Sequence, residues 1–457
     1  MNDILTTDLV DELRAATSGA VFTPRDEAYD EARALYFTGL DRRPAAIVRP
    51  RSAEEVAAVV SLARHGDFEM SVRGGGHAPG GQSVRDGAVV LDLRALDTLE
   101  IDAGGRRARA GTGLTVGGYT EEAGAHGLAT GFGDSGSVGL GGITLGGGLG
   151  YLHRMLGLTV DSLLGAQIVT ADGEVREVDR DTHADLFWAI RGGGGNFGVV
   201  TRLDFRLHEV RDVHAGMLML PATPELVVRF FEAMQAAPDE LSSVVNLMIA
   251  PPMPFLPAEV HGRFVLMAIL VHAGGGAAAE RALAPLRALA SPVLDDVAPM
   301  RYADVYEHVT PPPARLATIR SGFVDRIAPQ TAEAAFDQLQ RATAPMRAVQ
   351  VRMLGGAVGR VPAEDTAFAH RARGAMLNVA AMYERSEEVA EHEAWAGAAS
   401  RDIHGERAGA YVGFMGDEGE ARVREAYPEP YWERLSRIKA RYDPSNLFRY
   451  NQNIPPE

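Results

Sequence analysis

The sequence predicts an α+β fold in two parts, a glycine-dense part that wraps a ligand and a more ordinary part that follows it. Two observations carry this. Of the 51 glycines in 457 residues, 32 fall between positions 74 and 198. Glycine costs conformational entropy in any regular element, so such a density marks backbone that turns with positive φ or approaches a ligand too closely for a Cβ. Several such turns present rows of N–H donors suited to a pyrophosphate. The second observation is that glycine density collapses after residue 207, and from 208 to 411 strand-like and helix-like runs alternate in ordinary composition.

Taken in order, Val21 to Arg43 reads as an irregular opening segment and Pro44 to Val48 as a strand. Ser52 followed by Glu55 resembles a capping box ahead of an amphipathic helix over 53–65. A short strand, Met70 to Arg73, delivers the first glycine loop, RGGGHAPGGQS. Val89 to Leu93 and Arg106 to Ala110 alternate as strands do, and Leu114 to His126 reads as a helix ending at Gly127. Ala166 to Thr170 and Val175 to Val178 flank Ala171-Asp172-Gly173, a hairpin turn. Asp185 to Ile190 is a short helix and Val199 to Leu207 a strand. Beyond it, helices are expected near 223–236, 276–290 and 331–344, and strands at 243–249, 263–272, 348–353 and 376–383.

Bulk properties exclude several classes. The net charge of −16, with basic residues scattered among acids, argues against a nucleic-acid partner. No run approaches the roughly 18 apolar residues of a membrane span. MNDILTTDLVDELRAATSG lacks a basic-then-apolar leader pattern, so a cytoplasmic monomer or homodimer is expected, without a membrane partner. With no cysteine there are no disulfides, thiolate metal sites or cysteine nucleophiles.

Gly131-Phe132-Gly133-Asp134-Ser135-Gly136 satisfies G-x-G-x-x-G, the dinucleotide fingerprint, but no convincing strand precedes it and further glycines follow where a helix should begin. The same stretch contains Gly-Asp-Ser-Gly, a serine-hydrolase pattern that needs a positioned histidine and acid.

Four ordered blocks carry a resemblance: RGGGHAPGGQS (73–83), GDSGSVGLGGITLGGGLGYLHRMLGLTVD (133–161), FWAIRGGGGNFGVVT (187–201) and RIKARYDPSNLFRYNQNI (437–454). Together they resemble the FAD-linked oxidases of the berberine-bridge-enzyme-like group. That group shares its flavin domain with vanillyl-alcohol oxidase and p-cresol methylhydroxylase. The resemblance implies a PCMH/VAO-type FAD-binding domain, discontinuous over 1–207 and 412–457, and an inserted α+β substrate domain over 208–411 whose antiparallel sheet covers the flavin.

The resemblance also implies roles. His77 bonds covalently to the 8α carbon of FAD, and Ser135, standing where doubly tethered relatives carry cysteine, leaves that as the single attachment. Arg73, Gly74, Gly75, Gly76, Gly80, Gly81 and Ser83 match the pyrophosphate loop. Ser137, Val138, Gly139, Gly142, Thr144, Gly146, Gly147 and Gly148 line the ring and ribityl chain, with Val138 permitting access of dioxygen. Val200 lies in the adenine segment, and Tyr450, Asn451 and Asn453 lie near the isoalloxazine.

Catalytic positions carry over to Tyr411, Arg352, Gln350 and the aromatic Tyr151. Some relatives place a carboxylate base near 350, where this chain has glutamine and arginine. An arginine-depressed Tyr411 is one substitute; binding of a substrate carboxylate or stabilisation of an enolate by Arg352 is another. The activity implied is hydride transfer from a small organic substrate to flavin, with dioxygen returning it to the oxidised form. A flavin-dependent oxygenase or a dehydrogenase of the same fold is the alternative. Substrate choice falls to loops such as 250–262 and 310–322.

Overall fold

The computed structural model describes residues 7–66, 68–252, 256–309, 315–405 and 408–457. Parts of both substrate-choosing loops, 253–255 and 310–314, lie outside the described residues.

The glycine-dense half builds two small sheets. In the first, Ala20–Phe22 pairs antiparallel with Ala46–Arg49, which runs parallel to Val89–Asp92 and then Met70–Arg73. Helix Ala53–His65 covers this sheet with Val56, Val59, Val60 and Ala63. Only half of the expected capping box forms. Ser52 accepts from the Glu55 amide at 3.3 Å, while the Glu55 carboxylate turns to Ser18 and the Arg51 amide. The second sheet is antiparallel, in the order Leu99–Asp102, Arg107–Gly111, Val199–Arg206, Leu163–Val169, Val175–Asp179. Its hairpin turns as expected, with Gly173 at φ 83° and Thr170 Oγ1 donating to Asp172 at 2.6 Å.

The remainder forms one antiparallel eight-stranded sheet, in the order Leu294–Asp295, Asp212–Pro221, Phe264–Ala273, Leu241–Ile249, Met346–Met353, Ala375–Tyr383, Leu316–Val324, with Ala298–Arg301 also on Asp212–Pro221. Alternation along these strands assigns its faces. Val245, Leu247, Val349, Val351, Leu377 and Val379 pack under helices Pro224–Ala236, Pro329–Arg341 and Val389–His404. Asn246, Gln350, Arg352 and Asn378 therefore occupy the opposite face.

The opening segment is not irregular throughout: it supplies the strand Ala20–Phe22, paired with Ala46–Arg49, and the helix Tyr29–Arg33, whose Tyr29 and Ala32 are buried. Three further elements differ from expectation for identifiable reasons. Asp212–Pro221 is buried on both sides along most of its length, so it shows none of the alternation that marks a half-buried strand. Leu316–Val324 contains Gly322, where a Cβ would lie 2.3 Å from His404 Nδ1; the glycine admits the helix Val389–His404. LGGITL forms the helix Leu140–Leu145 despite two glycines, because its surroundings bury Leu140, Gly141, Thr144 and Leu145. Among the described residues no helix is long and apolar enough to cross a membrane.

Candidate active site

Two glycine loops meet backbone to backbone. A Cβ on Gly75 would sit 2.3 Å from the Gly139 amide nitrogen, and one on Gly139 would sit 2.4 Å from that of Gly75. Gly76 and Gly81 hold the first loop at φ 72° and 67°. Gly148 turns the second at φ 77°, and its amide donates to the Tyr411 hydroxyl at 3.2 Å, bringing that loop to the start of the carboxyl-terminal segment. Asn196, in the third loop, donates to Gln452 O at 3.2 Å and accepts from the Ile454 amide at 3.0 Å. The Met415 carbonyl receives both Gln82 and Gln452. The four sequence blocks thus close on one another.

What they enclose suits an extended polar ligand. A Cβ at Gly142 would meet nothing within 4 Å, so that glycine borders open space. Around the loops, Gln82 Oε1, Ser83 Oγ, Thr144 Oγ1, Asn451 Oδ1 and Asn453 Oδ1 are buried without a hydrogen-bond partner. Buried polar groups are normally satisfied. Hydroxyls that donate to phosphate and amide oxygens that accept from ring N–H or ribityl O–H groups match the chemistry of FAD.

At one end His77 stacks on Tyr36, ring centroids 4.0 Å apart. Burial pushes its imidazole down to about 4, against the backbone of Ser137 and the charge of Asp134, so the ring is neutral near pH 7. A neutral imidazole keeps one nitrogen lone pair free as a nucleophile.

Opposite, the sheet presents a polar row. Register places Asn246, Gln350 and Asn378 side by side. Gln350 donates to Asn246 at 3.2 Å, accepts from Asn378 at 3.3 Å and accepts from Arg352 at 2.5 Å. Arg352, only 1% exposed, does not face solvent and is not free for a substrate carboxylate: it is ion-paired with Asp134 of the second glycine loop. Phe414 lies under its guanidinium, 4.8 Å from ring centroid to Cζ.

Tyr411 corrects the expectation of a depressed phenol. Burial raises it to about 12, outweighing the Gly148 amide and Arg352, so it stays protonated near neutral pH. Tyr151 donates to Asp134 O at 3.2 Å, and Tyr306, bonded to Tyr302 at 2.9 Å, donates to Gly133 O at 3.2 Å. Tyr151 therefore braces the loop backbone instead of offering a free proton acceptor.

Other residues fall as follows. Arg73 turns away from the enclosed space to the carbonyls of Ala32 and Ala34, so its guanidinium supports the opening segment and not a ligand. Tyr450 lies between Arg85 and Arg449, with its hydroxyl bonded to Glu69, and so serves the rim. Val200 O accepts from Thr112 at 2.8 Å, and Ser135 and Ser137 hydroxyls lie 3.1 Å apart. Gly74, Gly80, Gly146 and Gly147 remain in the loop walls, Gly147 at φ 119°. Sequence reasoning missed Asp134, Tyr36 and the two asparagines. A lone asparagine amid the apolar runs VVNLMI and MLNVAAM is the signal that marks Asn246 and Asn378. Tyr36 has no local signal.

Comparison with known proteins agrees with this geometry. The FAD binding domain family matches residues 44–179, and the family described as berberine and berberine like matches 410–455. (R)-6-hydroxynicotine oxidase of Paenarthrobacter nicotinovorans is 32% identical over 476 aligned positions, spanning 96% of this chain and 97% of that protein. The crystal structure of 6-hydroxy-D-nicotine oxidase from Arthrobacter nicotinovorans superposes with a TM-score of 0.86 at 29% identity, covering 96% and 98% of the two chains. Glucooligosaccharide oxidase of Acremonium strictum has the same fold, with a TM-score of 0.86 at 23% identity over 98% of each chain. With a relative of this identity along nearly its whole length and both family domains in place, the chain belongs to the berberine-bridge-enzyme-like FAD-linked oxidoreductases of the vanillyl-alcohol oxidase and p-cresol methylhydroxylase family.

Proposed function

We propose that this protein is an oxidase in which FAD, tethered once through His77, is the acceptor for a small organic substrate and is reoxidised by dioxygen to give hydrogen peroxide. The observation that carries the reading is the closure of four glycine- and asparagine-bearing segments around unpartnered buried polar atoms, with a neutral histidine at one end. Residues 1–207 and 412–457 hold the cofactor in this reading, and 208–411 cover it. When bound, FAD supplies a two-electron acceptor. The chain supplies the rest.

The first two loops and the Asn451–Asn453 segment grip the cofactor through backbone N–H groups and the hydroxyl and amide atoms named above. The face carrying Asn246, Gln350, Arg352 and Asn378 closes the site from the other side. The Tyr411 hydroxyl donates a hydrogen bond to the substrate's heteroatom and orients its C–H bond. Val138, small and half-buried beside the first loop, leaves room for dioxygen. The substrate class is an alcohol or amine with a C–H bond on the carbon bearing the heteroatom. The full-length relative is named for 6-hydroxynicotine, an amine, and a fold neighbour for oligosaccharides.

The test is anaerobic mixing of purified protein with a panel of (R)-6-hydroxynicotine, simple secondary and tertiary amines, xylobiose and cello-oligosaccharides. Yellow protein whose visible flavin band is bleached by at least one compound is the expected result. Colourless protein, or a band that no compound bleaches, overturns the reading.

A further inference from the structure

Asp134 is a site carboxylate with no part in the function proposed above. Its peptide is unusually fixed: Tyr151 donates to its own carbonyl and Tyr306, backed by Tyr302, to the carbonyl before it. Its carboxylate accepts from Arg352 Nη2, yet 27% of the Asp134 side chain is exposed against 1% of Arg352. The cation is sealed in and the anion opens outward. Its backbone carbonyl takes the Tyr151 hydroxyl and its carboxylate takes the Arg352 guanidinium that lies over Phe414, so Asp134 stands where the second glycine loop meets the polar face of the sheet.

The other groups gathered here fail as proton acceptors for identifiable reasons. Gln350 has no proton chemistry, and its amide is engaged by Arg352, Asn246 and Asn378. Arginine does not deprotonate. Burial holds Tyr151 and Tyr306 far above their ordinary range and Tyr411 at about 12, so all three keep their protons near neutral pH. His77 is assigned to the tether. A carboxylate held by a charge-assisted bond to a buried guanidinium has fixed geometry and free lone pairs on its exposed side.

We infer that Asp134 is the proton acceptor of substrate oxidation and that Arg352 is a positioning residue acting through it, an assignment that rests on the oxidase reading. For a substrate H–C–X–H, where X is oxygen or nitrogen, the X–H proton passes to the Asp134 carboxylate. The C–H bond breaks with its electron pair, the hydride goes to the bound flavin as two-electron oxidant, and C=X forms. The carboxyl group then returns its proton to solvent. The same arrangement sets specificity: with Arg352 already paired, a substrate carboxylate finds no free cation there and meets the exposed side of the Asp134 carboxylate. Neutral or cationic alcohols and amines fit, and carboxylic acids do not.

The test uses holoenzyme carrying Asp134→Asn, Asp134→Glu or Arg352→Gln. Inorganic sulfite adds to bound flavin and bleaches it, so sulfite titration reads the charge of the site without a substrate. Removing the Asp134 charge should tighten sulfite binding by about tenfold or more, the size of one elementary charge acting over about 12 Å or less at an effective dielectric of about 20. Arg352→Gln should weaken it. With a panel compound that bleaches the wild type, Asp134→Asn should slow bleaching by roughly a hundredfold or more, and Asp134→Glu should recover part of the rate.

Sulfite affinity in Asp134→Asn within twofold of wild type, or bleaching within a few-fold, overturns the assignment and leaves the oxidase reading standing. Failure of every panel compound to bleach the wild type overturns the oxidase reading, and this assignment with it.

Discussion

Lys439 Nζ donates to Asp443 at 2.6 Å with both side chains fully buried, and the same ammonium reaches Asn196 O at 2.7 Å and Phe448 O at 3.0 Å. Asp443 in turn accepts from the Leu447 and Phe448 amides at 2.7 and 2.9 Å. One ion pair thereby fastens the third glycine loop to the terminal block that carries Asn451 and Asn453. Removing one partner of a buried pair leaves an uncompensated charge, at a cost of about 3–5 kcal/mol. Lys439→Met is expected to lower the thermal midpoint by several degrees and to reduce flavin content. An unchanged melt would show that the pair does not hold the segment.

Glycine substitutions separate fold from cofactor binding. Gly142 borders open space, so Gly142→Val should fold and melt as flavin-free wild-type protein does while losing most of its flavin. Gly139 has the Gly75 amide 2.4 Å from where a Cβ would be, so Gly139→Ala should lose stability as well as flavin. Flavin-to-protein ratio and melting temperature together check both. Full flavin content in Gly142→Val would contradict the placement of the cofactor along that loop.

Acid sensitivity follows from two buried histidines outside the site. Burial, reinforced by Arg373 for His370 and Arg422 for His404, pushes both imidazoles from 6.5 down to about 4. The unfolded chain therefore binds more protons than the folded one between those values, so this contribution to stability is present above about pH 6.5, declines towards pH 4 and levels off below it. His404→Gln should flatten the fall in melting temperature over that window relative to wild type. An identical slope would contradict it.

The tether makes its own prediction. Acid-precipitated wild-type protein should stay yellow and fluoresce as a band on a denaturing gel, and the peptide containing His77 should carry the mass of the flavin. His77→Ala should release its flavin on denaturation. An unmodified His77 peptide from holoenzyme would refute the covalent attachment.

How much of this is legible in sequence depends on range. The loop glycines are legible because Gly76, Gly81 and Gly148 sit at positive φ, which ordinary side chains avoid. The shared face of Gln350 and Arg352 is legible because a strand repeats every two residues. The partner of Arg352 is not, since Asp134 lies in another loop and pairing across 218 positions leaves no local pattern. The stacking of Tyr36 on His77 is hidden for the same reason. Tyr411 is legible as a position but not in its protonation, which burial sets and only packing reveals.

Reoxidation by air tests the central claim most directly. Holoenzyme reduced anaerobically with dithionite, freed of excess reductant and mixed with air-saturated buffer should regain its full flavin band within seconds and release one hydrogen peroxide per flavin. Return over many minutes, without matching peroxide, would contradict the oxidase and point to a dehydrogenase that passes its electrons to another acceptor.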